Sequence, residues 1–152
     1  MPAAERADRR EKLMETFLGI GALALAIGAY VAYTSWLTNG IKPRTFDTAL
    51  PAERLRALFV GRVARMGWKV VDDGNPMVVQ SPLATGIRQQ IALNLRSKDG
   101  RTSVVVGPRR WVTKWGVPKK AHTIRMRLDG FVAAVQAEDR QVHVVTGELR
   151  GR

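Results

Sequence analysis

Cysteine is absent from this sequence of 152 residues, and histidine occurs only as His122 and His143. The lack of cysteine excludes disulfides, thiolate metal ligands and cysteine nucleophiles. Neither histidine has a further histidine or a carboxylate at a spacing typical of metal ligands, and no serine or threonine has a histidine base in a recognisable arrangement. No glycine-rich phosphate loop or dinucleotide-binding fingerprint is present. The sequence therefore predicts a non-enzymatic protein with no metal and no cofactor.

Acidic residues are also scarce. The chain has 13 Asp and Glu against 25 Lys and Arg, which gives a net charge of +12. In residues 1–16 four acidic and four basic residues cancel, so the whole excess lies in the C-terminal part. A surface of this charge attracts anionic lipid, nucleic acid or an acidic protein.

Residues 17–37 contain no charged residue at all. A helix of this length extends about 31 Å, close to the roughly 30 Å hydrocarbon core of a bilayer. Tyr30, Tyr33 and Trp36 gather near its C-terminal end, where aromatic rings favour the headgroup level. The segment therefore predicts a single transmembrane helix. A cleaved signal peptide is the alternative, but Tyr33, Trp36 and Leu37 interrupt the small-residue pattern of a cleavage site.

Small residues recur at steps of three and four along this predicted helix. They allow another backbone to approach closely and predict packing against a second membrane helix, in a homo-oligomer or a larger complex. The alternative is that glycine and alanine are simply common in membrane helices. The residues of this face are Gly21, Ala24, Gly28, Ala32 and Ser35.

The sequence features that determine on which side of the membrane the domain lies are nearly balanced. Four basic residues precede the predicted span, and Lys42, Arg44, Arg54 and Arg56 follow it. An Arg-rich N-terminal tail resembles a signal anchor, which would place the C-terminal domain outside. Attraction of a basic domain to the anionic cytoplasmic leaflet slightly favours a cytoplasmic domain instead.

The rest of the chain is long enough for one small domain. Helical periodicity predicts amphipathic helices over residues 51–66 and 121–138, and alternation predicts about four strands between them, with a last short strand over 141–146. The predicted fold class is α+β, with antiparallel strands covered on one face by two helices. The predicted boundaries are a charged tail (1–16), the span (17–37), a linker (38–50), a basic domain (51–146) and a flexible tail (147–152).

Residues 109–120 combine tryptophan with basic residues. Aromatic rings at the headgroup boundary and cations on lipid phosphates are what an interfacial membrane contact requires. Single-stranded nucleic acid would use the same residues, and a third interpretation places both tryptophans in the core with the charges merely solvated. The predicted lipid- or anion-binding residues are Arg109, Arg110, Trp111, Lys114, Trp115, Lys119 and Lys120. Arg125 and Arg127 are predicted to face solvent on the last helix.

These patterns together predict a single-pass membrane-anchored binding or scaffolding protein. Its partners are the bilayer, anionic headgroups and another membrane helix, as expected for an accessory component of a membrane assembly. Two alternatives stay open: a membrane-tethered nucleic-acid-binding protein, and a small membrane-perturbing oligomer.

Overall fold

Helix α1 accounts for the N-terminal quarter of the chain. The computed structural model describes residues 3–83 and 86–148, and the chain divides into two compact units, Met1–Trp36 and Leu37–Arg152. Helix α1 runs over Ala3–Gly40, so it includes most of the predicted charged tail, and its last residues belong to the second unit. Its Lys12–Gly40 part is long and apolar enough to cross a membrane, judged by length and composition. This agrees with a single-pass membrane protein.

The second unit is an α+β domain, which confirms the predicted class. Its main sheet has six strands in the order β2-β3-β4-β5-β1-β8, with antiparallel neighbours throughout, and a separate two-stranded ribbon pairs β6 with β7. The strands are therefore more numerous than the four or so expected. The elements are β1 (Arg44–Thr48), α2 (Ala52–Val63), β2 (Lys69–Asp72), β3 (Met77–Gln80), β4 (Gln90–Lys98), β5 (Arg101–Arg110), β6 (Thr113–Lys114), β7 (Val117–Pro118), α3 (Ala121–Glu138) and β8 (Val145–Thr146).

The core lies between one face of the sheet and helices α2 and α3. Phe131 of α3 stands at its centre, with its ring 5.5 Å from that of Phe59 in α2 and 6.3 Å from that of Phe46 in β1. Alternate residues of the central strands complete this face, because successive side chains of a strand point to opposite sides. They include Ile91, Leu93, Leu95, Val104 and Val106, all buried.

The predicted linker over residues 38–50 is largely ordered structure. Its first residues complete α1, residues 44–48 form β1 inside the sheet, and Ile41 between them is fully buried. Arg44 holds this segment in place: its guanidinium donates to the carbonyls of Lys42 (2.9 Å) and Gly40 (3.3 Å) and pairs with Asp129 of α3. Strand β1 contains a single large apolar residue, Phe46, so it has no readable alternation.

Two of the expected segments fall partly outside the described residues. In the predicted C-terminal tail, residues 149–152 lie outside them, and so do residues 84 and 85 of the loop predicted after β3. The short strand expected over residues 141–146 is present only at its end, where β8 pairs with β1.

The antiparallel topology sorts the connections of the domain to two ends of the sheet. At one end, here called the hairpin end, lie residues 41–43, 64–68, 81–83, 86–89 and 111–120. At the other, the distal end, lie residues 49–51, 73–76, 99–100 and 139–144. The residue pairs Lys69–Gln80, Gln80–Gln90 and Gln90–Arg110 form one row across four strands at the hairpin end.

Candidate functional site: the basic hairpin

Residues 109–120, here called the basic hairpin, extend β5 beyond the sheet into a second, smaller ribbon. Thr113 pairs with Pro118 and Lys114 with Val117, which leaves Trp115 and Gly116 as a two-residue turn. Both turn residues have positive φ, 59° and 76°. This is the requirement of a type I′ turn, whose twist matches that of the strands it joins. The hairpin is therefore a tight ribbon with Trp115 at its tip.

Trp115 is exposed and conformationally unusual. Its side chain is 86% exposed. A left-handed backbone costs a residue with a Cβ atom roughly 1–2 kcal/mol, which is why glycine and asparagine dominate these turns. The position thus holds a large apolar ring in water and adds no core packing in return. Such a combination points to a contact outside the domain.

Trp111 occupies a different environment from Trp115. It is partly buried and packs against the core cluster, as does Val117 in the opposite strand of the hairpin. The interpretation that places both tryptophans in the core thus describes Trp111 only. The two rings are four residues apart in sequence, but a strand and a turn, not a helix, separate them.

The cations of the hairpin have few acidic neighbours in the chain. Residues 74–128 contain one acidic residue, Asp99, which lies in the turn at the distal end. The described ion pairs join Asp129, Glu138 and Asp73 to arginines outside the hairpin. Within the described part of the chain, no carboxylate pairs with the side chains of four exposed hairpin residues, Arg109, Arg110, Lys114 and Lys119. Lys120 is exposed as well.

A buried amide fixes the base of the hairpin. The backbone N–H of Lys119 donates to the carbonyl of Val112 at 2.8 Å and closes the ribbon. The side-chain amide of Gln89, only 2% exposed, donates to the carbonyls of Lys119 (3.0 Å) and Lys120 (3.3 Å). Gln89 is itself held by the hydroxyl of Ser81, which accepts its backbone N–H at 2.9 Å. The hairpin is thereby attached to the connection between β3 and β4.

Arg127 does not face solvent, which corrects the prediction for that residue. It is 6% exposed, its guanidinium lies 4.5 Å from the ring centroid of Trp68, and it donates to the carbonyl of Val63 at 2.7 Å. Burial lowers the pKa of the guanidinium from its ordinary value, and its Nε has no hydrogen-bond partner. The prediction from helical periodicity was wrong for Arg127 because it treats arginine as a polar residue. The aliphatic stem and planar guanidinium of arginine nevertheless pack well on aromatic rings. Arg125 is half-buried, and its stem lies close to Gly40.

Two further exposed apolar residues lie at the hairpin end. Met66 is 85% exposed and has a φ of 53°, and Leu83 is 66% exposed. The first amphipathic helix was predicted to extend to residue 66, but α2 ends at Val63. The only sequence feature that indicates a helix end near Met66 is the adjacent Gly67, because glycine is typical of helix C-termini. For Leu83 the sequence contains no signal beyond its place in a loop.

The small-residue face predicted for the membrane helix lies within α1. Its five residues are all exposed, and the space where a side chain would extend from Gly21 or Gly28 is open. Among the described residues, no group of three or more histidines and carboxylates is arranged to hold a metal ion.

No protein-family model, curated protein or solved structure matches this chain.

Proposed function

We propose that this chain is a single-pass membrane-anchored binding protein without enzymatic activity, an accessory component of a membrane assembly whose basic hairpin contacts anionic lipid. The observation that carries the proposal is Trp115, which is exposed at the tip of the hairpin in a left-handed backbone conformation, with Lys114 next to it and further cations in the same hairpin. Aromatic rings favour the headgroup level of a bilayer, and each basic residue near an anionic surface contributes about 1 kcal/mol.

Helix α1 supports the membrane part of this proposal. Its apolar side chains are exposed, including Phe17 at 71% and Leu25 at 76%, and they need an apolar surrounding. Tyr33 and Trp36 stack near its C-terminal end, as expected for aromatic side chains at a headgroup boundary. The face that contains Gly21 and Gly28 suits close packing with another helix, which is the contact we assign to the assembly.

The lipid contact is tested with the full chain reconstituted in lipid nanodiscs. A polarity-sensitive fluorophore is attached at Thr113→Cys, a position that is exposed next to the tip and leaves Trp115 in place. We expect a blue shift in discs that contain phosphatidylglycerol and none in discs of phosphatidylcholine alone. Trp115→Ala should remove most of this shift, whereas Met126→Ala, which shortens another exposed apolar side chain, should leave it unchanged.

Two results would overturn the proposal. One is a probe that stays in water on phosphatidylglycerol discs, and the other is a shift that Trp115→Ala does not reduce. The same probe also tests the nucleic-acid alternative, because base stacking on Trp115 would change its signal when a single-stranded oligonucleotide is added to phosphatidylcholine discs. A response to the oligonucleotide without a response to anionic lipid would replace the lipid contact with a nucleic-acid contact.

A further inference from the structure

We infer that the hairpin end as a whole is the docking surface for an anionic bilayer, with Met66 and Leu83 entering the headgroup region beside Trp115. This inference rests on the proposed function and extends it from one hairpin to three connections. It assigns a membrane contact to residues that the sequence patterns leave without a role.

The three connections form one continuous surface. Gly67, next to Met66, lies so close to Pro82 that a Cβ atom built on it would be 3.4 Å from the proline ring. Pro82 precedes Leu83 in the connection between β3 and β4, and Gln89 of the same connection binds the base of the hairpin. The connections that contain Met66, Leu83 and Trp115 are therefore linked, the first to the second through Gly67 and Pro82 and the second to the third through Gln89.

The charge of the domain is unevenly divided between its two ends. The connections at the hairpin end contain six Lys and Arg and no Asp or Glu, namely Lys42, Arg65, Arg88, Lys114, Lys119 and Lys120. Those at the distal end contain three Asp and one Arg, namely Asp73, Asp99, Asp139 and Arg140. Two acidic residues are close to the hairpin end outside these connections: Glu148 follows β8, and Asp129 is paired with Arg44. An anionic surface is attracted to this end because the six cations outnumber them.

Backbone conformation separates the exposed apolar residues of this end from ordinary surface residues. Met66 and Trp115 are two of the four non-glycine residues with positive φ in the described chain, and both are more than four-fifths exposed. A left-handed backbone is unusual for large apolar residues. Two such residues in the connections at one end of the domain indicate a shared requirement to present apolar side chains outward.

The chain path favours a bilayer over other anionic partners. Residues 41–43 reach β1 at the hairpin end directly from Gly40, the last residue of α1. The chain thus enters the basic, apolar end of the domain from the helix whose Lys12–Gly40 part is able to cross a membrane. A duplex or a single strand of nucleic acid would use the cations, but it has no apolar layer to receive Met66 and Leu83.

The test uses single cysteines at Met66, Leu83 and Lys98 in the full chain, which has no native cysteine. Lys98 lies beside the turn at the distal end and is exposed. Each cysteine is labelled with a fluorophore, and quenching by a water-soluble quencher is measured in nanodiscs. With phosphatidylglycerol present we expect a several-fold fall in the quenching constant at positions 66 and 83 and no change at position 98.

A second variant keeps the test independent of the attached labels. Met66→Asp with Leu83→Asp should reduce the blue shift of the Thr113 probe on phosphatidylglycerol discs, because carboxylates are repelled from anionic lipid. Met126→Asp is the matched control, since it adds the same charge to an exposed methionine of helix α3, outside the three connections. We expect the control to leave the shift unchanged.

The possible failures are distinguishable. If the Thr113 probe enters the membrane while positions 66 and 83 stay accessible to the quencher, the inference is overturned and the proposed hairpin contact stands. If the Thr113 probe stays in water as well, both are wrong. Equal protection at position 98 would show that the domain adsorbs without a preferred end, and protection by an oligonucleotide but not by lipid would assign the surface to nucleic acid.

Discussion

At the scale of single residues, Gly107 of β5 lies against Pro43, which precedes β1, with no room for a side chain between them. A Cβ atom at position 107 would lie 2.7 Å from the Cβ and 2.9 Å from the Cα of Pro43. The backbone of Pro43 cannot move easily, because its carbonyl accepts the N–H of Gly147 at 2.8 Å. Strands β5 and β1 therefore approach each other at this point only because residue 107 is glycine.

We predict that Gly107→Ala lowers the free energy of unfolding of the domain by about 1–3 kcal/mol, the usual cost of overpacking. Chemical denaturation of the full chain in detergent, followed by the fluorescence of buried Trp68, measures this change. The matched control is Gly61→Ala in α2, where no atom lies within 4 Å of the added methyl group. It should raise stability by about 0.5–1 kcal/mol, since glycine is a poor residue inside a helix. Equal effects of the two substitutions would contradict this account.

The sequence composition predicted which stretch contains the candidate site, but it did not predict which of its side chains are buried and which are exposed. Tryptophan and cations in one stretch identified a candidate surface, but whether a given ring points in or out depends on the local backbone. Trp111 lies in the extended chain against the core, whereas Trp115 occupies a turn. No periodicity predicts a left-handed tryptophan, because the turns that need positive φ normally contain glycine, asparagine or aspartate.

At the scale of elements, helix α3 is joined to β1 through acidic residues at its C-terminal end. Asp139 accepts a hydrogen bond from the Thr48 hydroxyl at 2.7 Å and one from the Ala49 N–H at 3.0 Å. These bonds, the Thr48 bond first, lower the pKa of Asp139, with smaller contributions from the Gln141 N–H and the charge of Arg101. The preceding residue, Glu138, also has a lowered pKa, because Arg54 of α2 donates hydrogen bonds to it.

We predict that acidification below the ordinary aspartate pKa of about 3.9 destabilises the domain. A carboxylate whose pKa is lower in the folded state stabilises that state above the unfolded pKa, and the stabilisation is lost as the pH falls through the folded value. Thermal unfolding of the full chain in detergent across acidic pH measures the loss. Asp139→Asn should flatten this dependence, and Asp99→Asn, which removes the same charge from an exposed turn at the distal end, serves as the control. An unchanged acid limb in Asp139→Asn would contradict the assignment.

The elements that could be predicted well from the sequence are the helices, in which the hydrophobic periodicity is sustained over many residues. Helix α3 has the expected bounds, and α2 differs from its expected range mainly at the C-terminal end. Strand β1 and the β6–β7 ribbon were not expected, since five residues with one large apolar side chain, or two residues per strand, contain too little alternation. Residues 44–48, within the predicted linker, form a strand because they pair with β5, and such pairing cannot be predicted from local sequence because the partners are distant along the chain.

At the scale of the whole molecule, the uneven charge has a consequence for the side of the membrane. Basic residues close to the predicted span over residues 17–37 are equally numerous before and after it, so the positive-inside rule alone does not decide the orientation. The six cations in the connections at the hairpin end add an attraction to anionic lipid of about 1 kcal/mol for each charge that reaches the surface. The cytoplasmic leaflet is the anionic one, so this term favours a cytoplasmic domain.

We therefore predict that the domain faces the cytoplasm and the N-terminus faces the opposite side. Cysteines are introduced singly at Ala3 and at Ser97, which is exposed near the distal end. Intact cells are then treated with a membrane-impermeant thiol reagent. Ser97→Cys should react only after the cells are opened, whereas Ala3→Cys should react in intact cells. The reverse pattern would place the basic surface outside and exclude the inner leaflet as its partner. Reaction of both cysteines in intact cells would contradict a retained membrane span, because Ala3 precedes and Ser97 follows the Lys12–Gly40 part of α1 that is able to cross a membrane.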